Sequence, residues 1–252
     1  MSPLQALAIA GAGLVAGTVN TVVGSGSLIT FPTLLGFGYP AVLANVSNTV
    51  GLVPGSASGV VAYRKELGGQ VRRVAVLGWA SGAGALAGAV LLLALPHHVF
   101  RRVVPVLILA ASVLVAVQPL VARRLAERQA RRPHGGGWLF STVLVSGIYG
   151  GYFGAAQGVI LMGLLGTFLP DDLQGLNALK NVLALIVNAV SALFFVAVTH
   201  VAWGAAGLLA AGAIVGGQLG GVVGRRLAPA LLRGVIIVVG VAAAVVLFVQ
   251  WR

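Results

Sequence analysis

Apolar runs of about twenty residues or more, broken only by short clusters of arginine, follow one another along the whole chain. A helix crossing the hydrocarbon core needs ~20 apolar residues, within a range of roughly 17–25. Reading between the charge clusters gives eight candidate spans, at residues 3–31, 41–63, 74–95, 99–121, 138–168, 173–198, 201–223 and 229–250. Continuous Leu, Val and Ala runs favour helices over the short alternating segments of a β-barrel. Only 8% of the 252 residues are charged, against about 25% in a soluble domain, so a water-facing surface could not be covered. That excludes a cytosolic globular enzyme, and the absence of cysteine excludes a disulfide scaffold. The first run has no basic segment before it and is too long and glycine-rich to read as a signal peptide.

The surplus of basic residues, 16 Lys and Arg against 4 acids, would suggest nucleic acid in a soluble protein. In a chain of this hydropathy it reflects loop charges that set orientation, so the expected surroundings are the lipid bilayer and no nucleic acid. With eight crossings and the N-terminus inside, the inner loops hold ten basic residues, the outer loops five, and Lys180 lies within a span. That count expects both termini in the cytoplasm, although the second half alone argues the other way.

The chain is internally duplicated at an offset of 130–132 residues. Gly17-Thr-Val-Asn-Thr-Val-Val-Gly24 aligns with Gly147-Ile-Tyr-Gly-Gly-Tyr-Phe-Gly154, Asn45 with Asn177, Asn48 with Lys180, Gly84 with Gly216 and Arg101 with Arg233. The expected architecture is an all-α integral membrane protein. About eight transmembrane helices form two four-helix repeats, at 1–122 and 138–252, joined by a basic cytoplasmic linker at 123–137. Four spans per half is an even number, so the repeats are expected to be parallel, with a ligand site where they meet.

Glycine supplies 37 residues and falls into two populations. Gly78, Gly82, Gly84 and Gly88 on the third run, with Gly212, Gly216, Gly220 and Gly224 on the seventh, form smooth faces for close helix packing. Gly24-Ser-Gly26-Ser and Pro32 in the first run, and Gly154 to Gly158 in the fifth, instead read as breaks in the first and fifth helices, with a packing kink as the alternative. Unpaired backbone at membrane depth must line a cavity or be buried in protein, and a helix N-terminus with free N–H groups attracts anions.

Polar residues cluster on the runs that follow each break: Asn45, Asn48, Thr49 and Ser56, then Asn177, Lys180, Asn181 and Asn188. Asparagine in hydrocarbon needs a partner. Lys180 is open to two readings, a functional intramembrane charge or a side chain that snorkels or pairs with Asp171 or Asp172. The acids Glu66, Glu127, Asp171 and Asp172 and the histidines 97, 98, 134 and 200 fall in or near loops, so neither acid–base catalysis nor a metal site is expected. No cofactor is implied, and an enzyme is not expected.

Together these segments resemble the sulfite exporter TauE/SafE family. The residues that carry the resemblance are Gly17-Thr-Val-Asn20, Gly24-Ser-Gly26, Phe31-Pro32 and Gly36, followed by Ala44-Asn45-Val-Ser-Asn48. In the second half they are Gly147 to Gly154 and Gly158, then Asn177-Ala-Leu-Lys180-Asn181, with Pro96-His-His-Val-Phe-Arg101 as a matching short loop. The resemblance implies a multi-pass carrier of small anions in a bacterial cell membrane, associated with sulfite and other organosulfur or organic anions. The expected substrate contacts are Asn20, Gly24, Ser25, Gly26, Ser27, Asn48, Gly154, Gln157, Gly158, Asn177 and Lys180. Export is the expected direction, because the chain offers no carboxylate for coupling; a passive anion pore is the alternative. The oligomeric state is left open.

Overall fold

The computed structural model describes residues 1–128, 136–223 and 229–250, and among these every regular element is helical. Ten α-helices follow in order: α1 (Pro3–Val22), α2 (Ser27–Gly36), α3 (Ala41–Ala62), α4 (Val71–Ala94), α5 (His97–Arg128), α6 (Gly136–Tyr152), α7 (Gln157–Phe168), α8 (Leu173–Val198), α9 (Trp203–Val223) and α10 (Pro229–Gln250), with a 3₁₀ turn at Arg64–Leu67. Five helices among the described residues are long and apolar enough to cross a membrane: α1, α4, α5 to Leu120, α8 and α9 to Val222. In the linker region α5 extends to Arg128 and α6 starts at Gly136, while Arg131, Arg132, Arg225, Arg226, Gly224 and Arg252 lie outside the described residues.

Local chemistry sets the helix ends. At the start of α1, the Ser2 hydroxyl accepts from the Gln5 N–H (3.2 Å) while the Ser2 N–H donates to Gln5 Oε1 (3.0 Å), and Pro3 fills the first helical position. Asp172 caps α8 by accepting from the Gly175 N–H at 3.1 Å. Both long glycine-rich runs are indeed interrupted, at 23–26 and 153–156. Gly24 and Gly154 adopt φ of +87° and +74° there, a conformation that costs a side chain ~1–2 kcal/mol.

The breaks reverse the chain. Gly26, at the start of α2, packs on Ala16 and Asn20 of α1, while Pro32 and Gly36 share a cavity with Ala41 at the start of α3. Thus α2 retraces α1. In the second half, Gln157 packs on Gly150 and donates to the Ser146 carbonyl, and Leu161, Leu165 and Leu169 pack with Leu139 and Val143, so α7 retraces α6. The first and fifth runs are therefore helical hairpins.

That geometry corrects the expectation of parallel repeats. Helices α1 and α9 run in the same direction, with Gly13 against Leu209 and Gly17 against Ala213, and α3 runs with them, with Gly51 against Ala206 and Gly55 against Ala213. Helices α4 and α6 share a direction, with Gly84 against Leu144 and Gly88 against Tyr152. The pairs related by the 130–132 offset, however, oppose each other. Along α3 and α8, Ser47 meets Ala202, Ser56 meets Asn188, and Gly59 touches Thr21, which Asn177 and Asn181 bond. Along α5 and α10, Ser112 meets Gly240 while Arg101 shares a cavity with Leu247. A hairpin returns the chain to the end it came from, leaving three full-length helices in each half. An odd number inverts the second half relative to the first.

The glycine faces do what small residues do at helix crossings. Gly84 and Gly88 admit the α6 backbone, Gly212, Gly216 and Gly220 admit α1, and Gly78 and Gly82 face Ile186 of α8. The largest apolar cluster gathers Val23, Leu28, Phe31, Phe100, Phe153 and Phe195 around the hairpin tips. Phe31 and Phe153, one from each hairpin, meet edge to face at 5.3 Å.

Candidate functional site at the hairpin tips

The two tips touch. The Gly24 carbonyl accepts from the Gly158 N–H at 2.9 Å, and a β carbon on either glycine would overlap the Cα of the other. Backbones approach this closely only where neither residue has a side chain.

Each interrupted helix leaves orphan backbone groups, and the opposite half satisfies the carbonyl ends. Lys180 Nζ donates to the carbonyls of Asn20 (3.3 Å) and Thr21 (3.2 Å), and Asn177 and Asn181 both donate to Thr21 (3.3 Å each). In return, Asn45 Nδ2 donates to the carbonyl of Tyr152, the last residue of α6, at 3.0 Å. Asn45 and Asn177 are matched positions in the duplication, so each half caps the other's broken helix. Among the described contacts Lys180 neither snorkels nor pairs with an acid. The side chain is 1% exposed, Asp171 pairs with Arg73, and Asp172 caps α8.

The amide end of α2 is treated differently. The N–H groups of Leu28, Ile29 and Thr30 bond back to Ser25 and Gly26 carbonyls. Among the described hydrogen bonds, those of Ser25, Gly26 and Ser27 have no acceptor. The Ser25 hydroxyl lies at the same break, 1% exposed, also without a protein partner. Beside it, Asn48 Nδ2 donates to Ser27 Oγ at 3.1 Å, and the Thr30 hydroxyl donates to Asn48 Oδ1. At the second break, Gln157 is committed to the Ser146 carbonyl and Gly158 to Gly24. Ala156 stands where Gly26 stands in the first half, with φ +58°.

The structure thus divides the eleven residues expected to contact substrate. Gly24, Ser25, Gly26, Ser27 and Asn48 surround an amide end with unused donors. Gly154, Gln157 and Gly158 shape and seal the second tip, and Asn177 and Lys180 hold the carbonyl end of α1. Asn20 reaches Ser56 at 3.4 Å, and Asn188 reaches the same hydroxyl at 3.1 Å. Thr21 and Thr30 were not singled out as site residues. Thr21 acts through its carbonyl, which has no side-chain signature, whereas Thr30 sits one helical turn from Gly26 and could have been found by that spacing.

A separate cavity of about 700 Å³ opens at the far end of α2, lined by Pro32, Leu35, Tyr39, His97, Arg101 and Leu247 among others. It marks the end of the molecule where α1, α3 and α5 begin and α10 finishes.

A curated relative from Haemophilus influenzae, named a probable membrane transporter protein, is 26% identical over 230 residues, covering 90% of this chain and 88% of its own length. A probable membrane transporter protein from a Sinorhizobium species is 24% identical over 236 residues (93% and 88%). The probable membrane transporter protein YfcA of Escherichia coli K12 is 23% identical over 243 residues (95% and 88%). No solved structure matches the chain. The family model for sulfite exporter TauE/SafE matches residues 9–247, and with the apolar helices and the whole-length relatives this places the chain in the TauE/SafE family of membrane transporters.

Proposed function

We propose that this transporter carries a small anion, sulfite or another organosulfur or organic anion, through a site at the α1–α2 break. The observation that carries this reading is the amide end of α2. Three backbone N–H groups and a buried Ser25 hydroxyl are without acceptors among the described residues, at a helix N-terminus whose dipole favours negative charge. A desolvated anion needs such donors, because an unpaired buried charge is very costly. Lys180, on the carbonyls of α1, neutralises the opposite pole of the same break.

The inverted arrangement supports a membrane topology of six crossings and two re-entrant hairpins. With this topology the described helix ends and turns at one face carry Arg64, Lys65, Arg72, Arg73, Arg123, Arg124, Arg128 and Arg233. Arg101 and Arg102 fall on the other. The positive-inside rule then puts the basic face in the cytoplasm and both termini outside, replacing the expectation of cytoplasmic termini. It also removes the conflict between the halves. The native chain has no cysteine, so single substitutions report cleanly. In intact cells an impermeant maleimide is expected to label His98→Cys and to miss Lys65→Cys; the reverse pattern would overturn the orientation.

Export fits the same arrangement. An interior-negative potential drives a monoanion outward by about 2.3 kcal/mol per 100 mV. In proteoliposomes we expect saturable sulfite or methanesulfonate flux that rises when the exit side is made positive. Flux that grows linearly with concentration favours the alternative, a passive anion pore. Absence of flux for every small anion tested would sink the transport assignment at this site.

A further inference from the structure

We infer that Thr30, acting through Asn48, makes the break a donor-rich site that favours anions carrying no proton of their own. This rests on the anion site proposed above and names what that site accepts. The chain of bonds runs Thr30 hydroxyl to Asn48 Oδ1, then Asn48 Nδ2 to Ser27 Oγ at 3.1 Å. Thr30 is fully buried and Asn48 is 1% exposed, so water does not compete for these groups.

An asparagine amide has a donor end and an acceptor end, and a neighbour decides which faces where. The Thr30 hydroxyl has two acceptors in reach, the Gly26 carbonyl at 3.3 Å and the closer Asn48 Oδ1; its one proton goes to the closer, which holds the acceptor end of the amide and turns the donor end to Ser27. Ser27 Oγ is then already an acceptor, so its own proton points away from Asn48 and is free for a ligand. Alongside it lie the unbonded N–H groups of Ser25, Gly26 and Ser27 and the unpartnered Ser25 hydroxyl. Four fixed donors line the break, joined by a Ser25 hydroxyl free to donate. Among the side chains assigned to it, none is a carboxylate able to receive a proton from the ligand.

A fully ionised sulfonate, or sulfite as its dianion, presents only acceptor oxygens to these donors. A protonated oxyanion of the same charge and shape brings an O–H that only the Ser25 or Ser27 hydroxyl oxygen can accept, and it offers one acceptor fewer to the remaining donors. A buried donor left without a partner costs enough to shift affinity by about tenfold, and sites built this way reject the mismatched analogue strongly. Removing the Thr30 hydroxyl frees the Asn48 amide to turn over. Its oxygen then takes the Ser27 proton, so the site loses a donor and shows a lone pair.

The test pair is methanesulfonate and methylphosphonate at mildly acidic pH, where both are monoanions of nearly the same shape and only the phosphonate keeps a proton. Binding is read by titration calorimetry on the purified full-length transporter. Native protein is expected to prefer methanesulfonate by about tenfold or more. Thr30→Val is expected to weaken methanesulfonate, strengthen methylphosphonate and bring the ratio near one, with Thr30→Ala giving the same ratio without the β-branch. Thr30→Ser, which keeps the proton, is expected to restore the native preference. Equal binding of both anions by the native protein, or an unchanged ratio in Thr30→Val and Thr30→Ala, overturns the selectivity inference and leaves the anion site standing. Binding of neither anion overturns the anion site and this inference together.

Discussion

Replacing Gly24 with alanine is expected to destabilise the transporter by about 3 kcal/mol and to reduce transport to background. Two costs add. Gly24 has φ +87°, where a β carbon costs ~1–2 kcal/mol, and that carbon would overlap the Cα of Gly158, an overpacking cost of typically 1–3 kcal/mol. The neighbour is backbone rather than the end of a flexible side chain, so the clash is relieved only by separating the hairpins. Separation breaks the Gly158 N–H to Gly24 carbonyl bond at 2.9 Å and the contact between the tips.

Gly158→Ala meets the same overlap from the other side at an ordinary backbone angle, so a smaller loss is expected. Gly36→Ala, with open space around the added carbon, is the control and should lie within about 0.5 kcal/mol of native. Thermal unfolding in detergent ranks the three. If Gly24→Ala melts with Gly36→Ala, the tips do not depend on this contact.

How much of this is legible in the sequence differs from feature to feature. The breaks were: glycine at 24 and 154, serine at 25 and 27 and proline at 32 have local consequences that spacing reveals. The direction of the chain after each break was not, because hydropathy is blind to whether a helix goes on or turns back. Length offered the missing signal. Helix α1 alone spans 20 residues, or ~30 Å at 1.5 Å per residue, so with the 10 residues of α2 the run is too long for one straight crossing. The discordant arginines of the second half were the other sign: under the proposed topology Arg233 joins the basic face. Thr30 and Thr21 were passed over for different reasons. One orients a partner, and the other works through its main chain.

Lys180 carries the second large effect, and the bonds around it say how to separate its two roles. The last four carbonyls of α1 are those of Val19, Asn20, Thr21 and Val22. Val19 is taken by the N–H groups of Val23 and Gly24. Thr21 has three candidate donors, Lys180, Asn177 and Asn181, for two lone pairs. The Asn20 carbonyl has, among the described hydrogen bonds, Lys180 alone, at 3.3 Å. Losing one asparagine leaves Thr21 served, so Asn181→Ala is expected to cost under about 1 kcal/mol.

Lys180→Met keeps the bulk, removes the only described donor to Asn20, and takes the cation from the negative end of a helix. A loss of about 2–3 kcal/mol is expected, with transport abolished. Comparing the unfolding of the two variants checks the order. Equal losses would mean the carbonyl end of α1 does not depend on the ammonium. A Lys180→Met protein that melts like the native one but no longer binds methanesulfonate would move Lys180 from supporting the break to touching the anion itself.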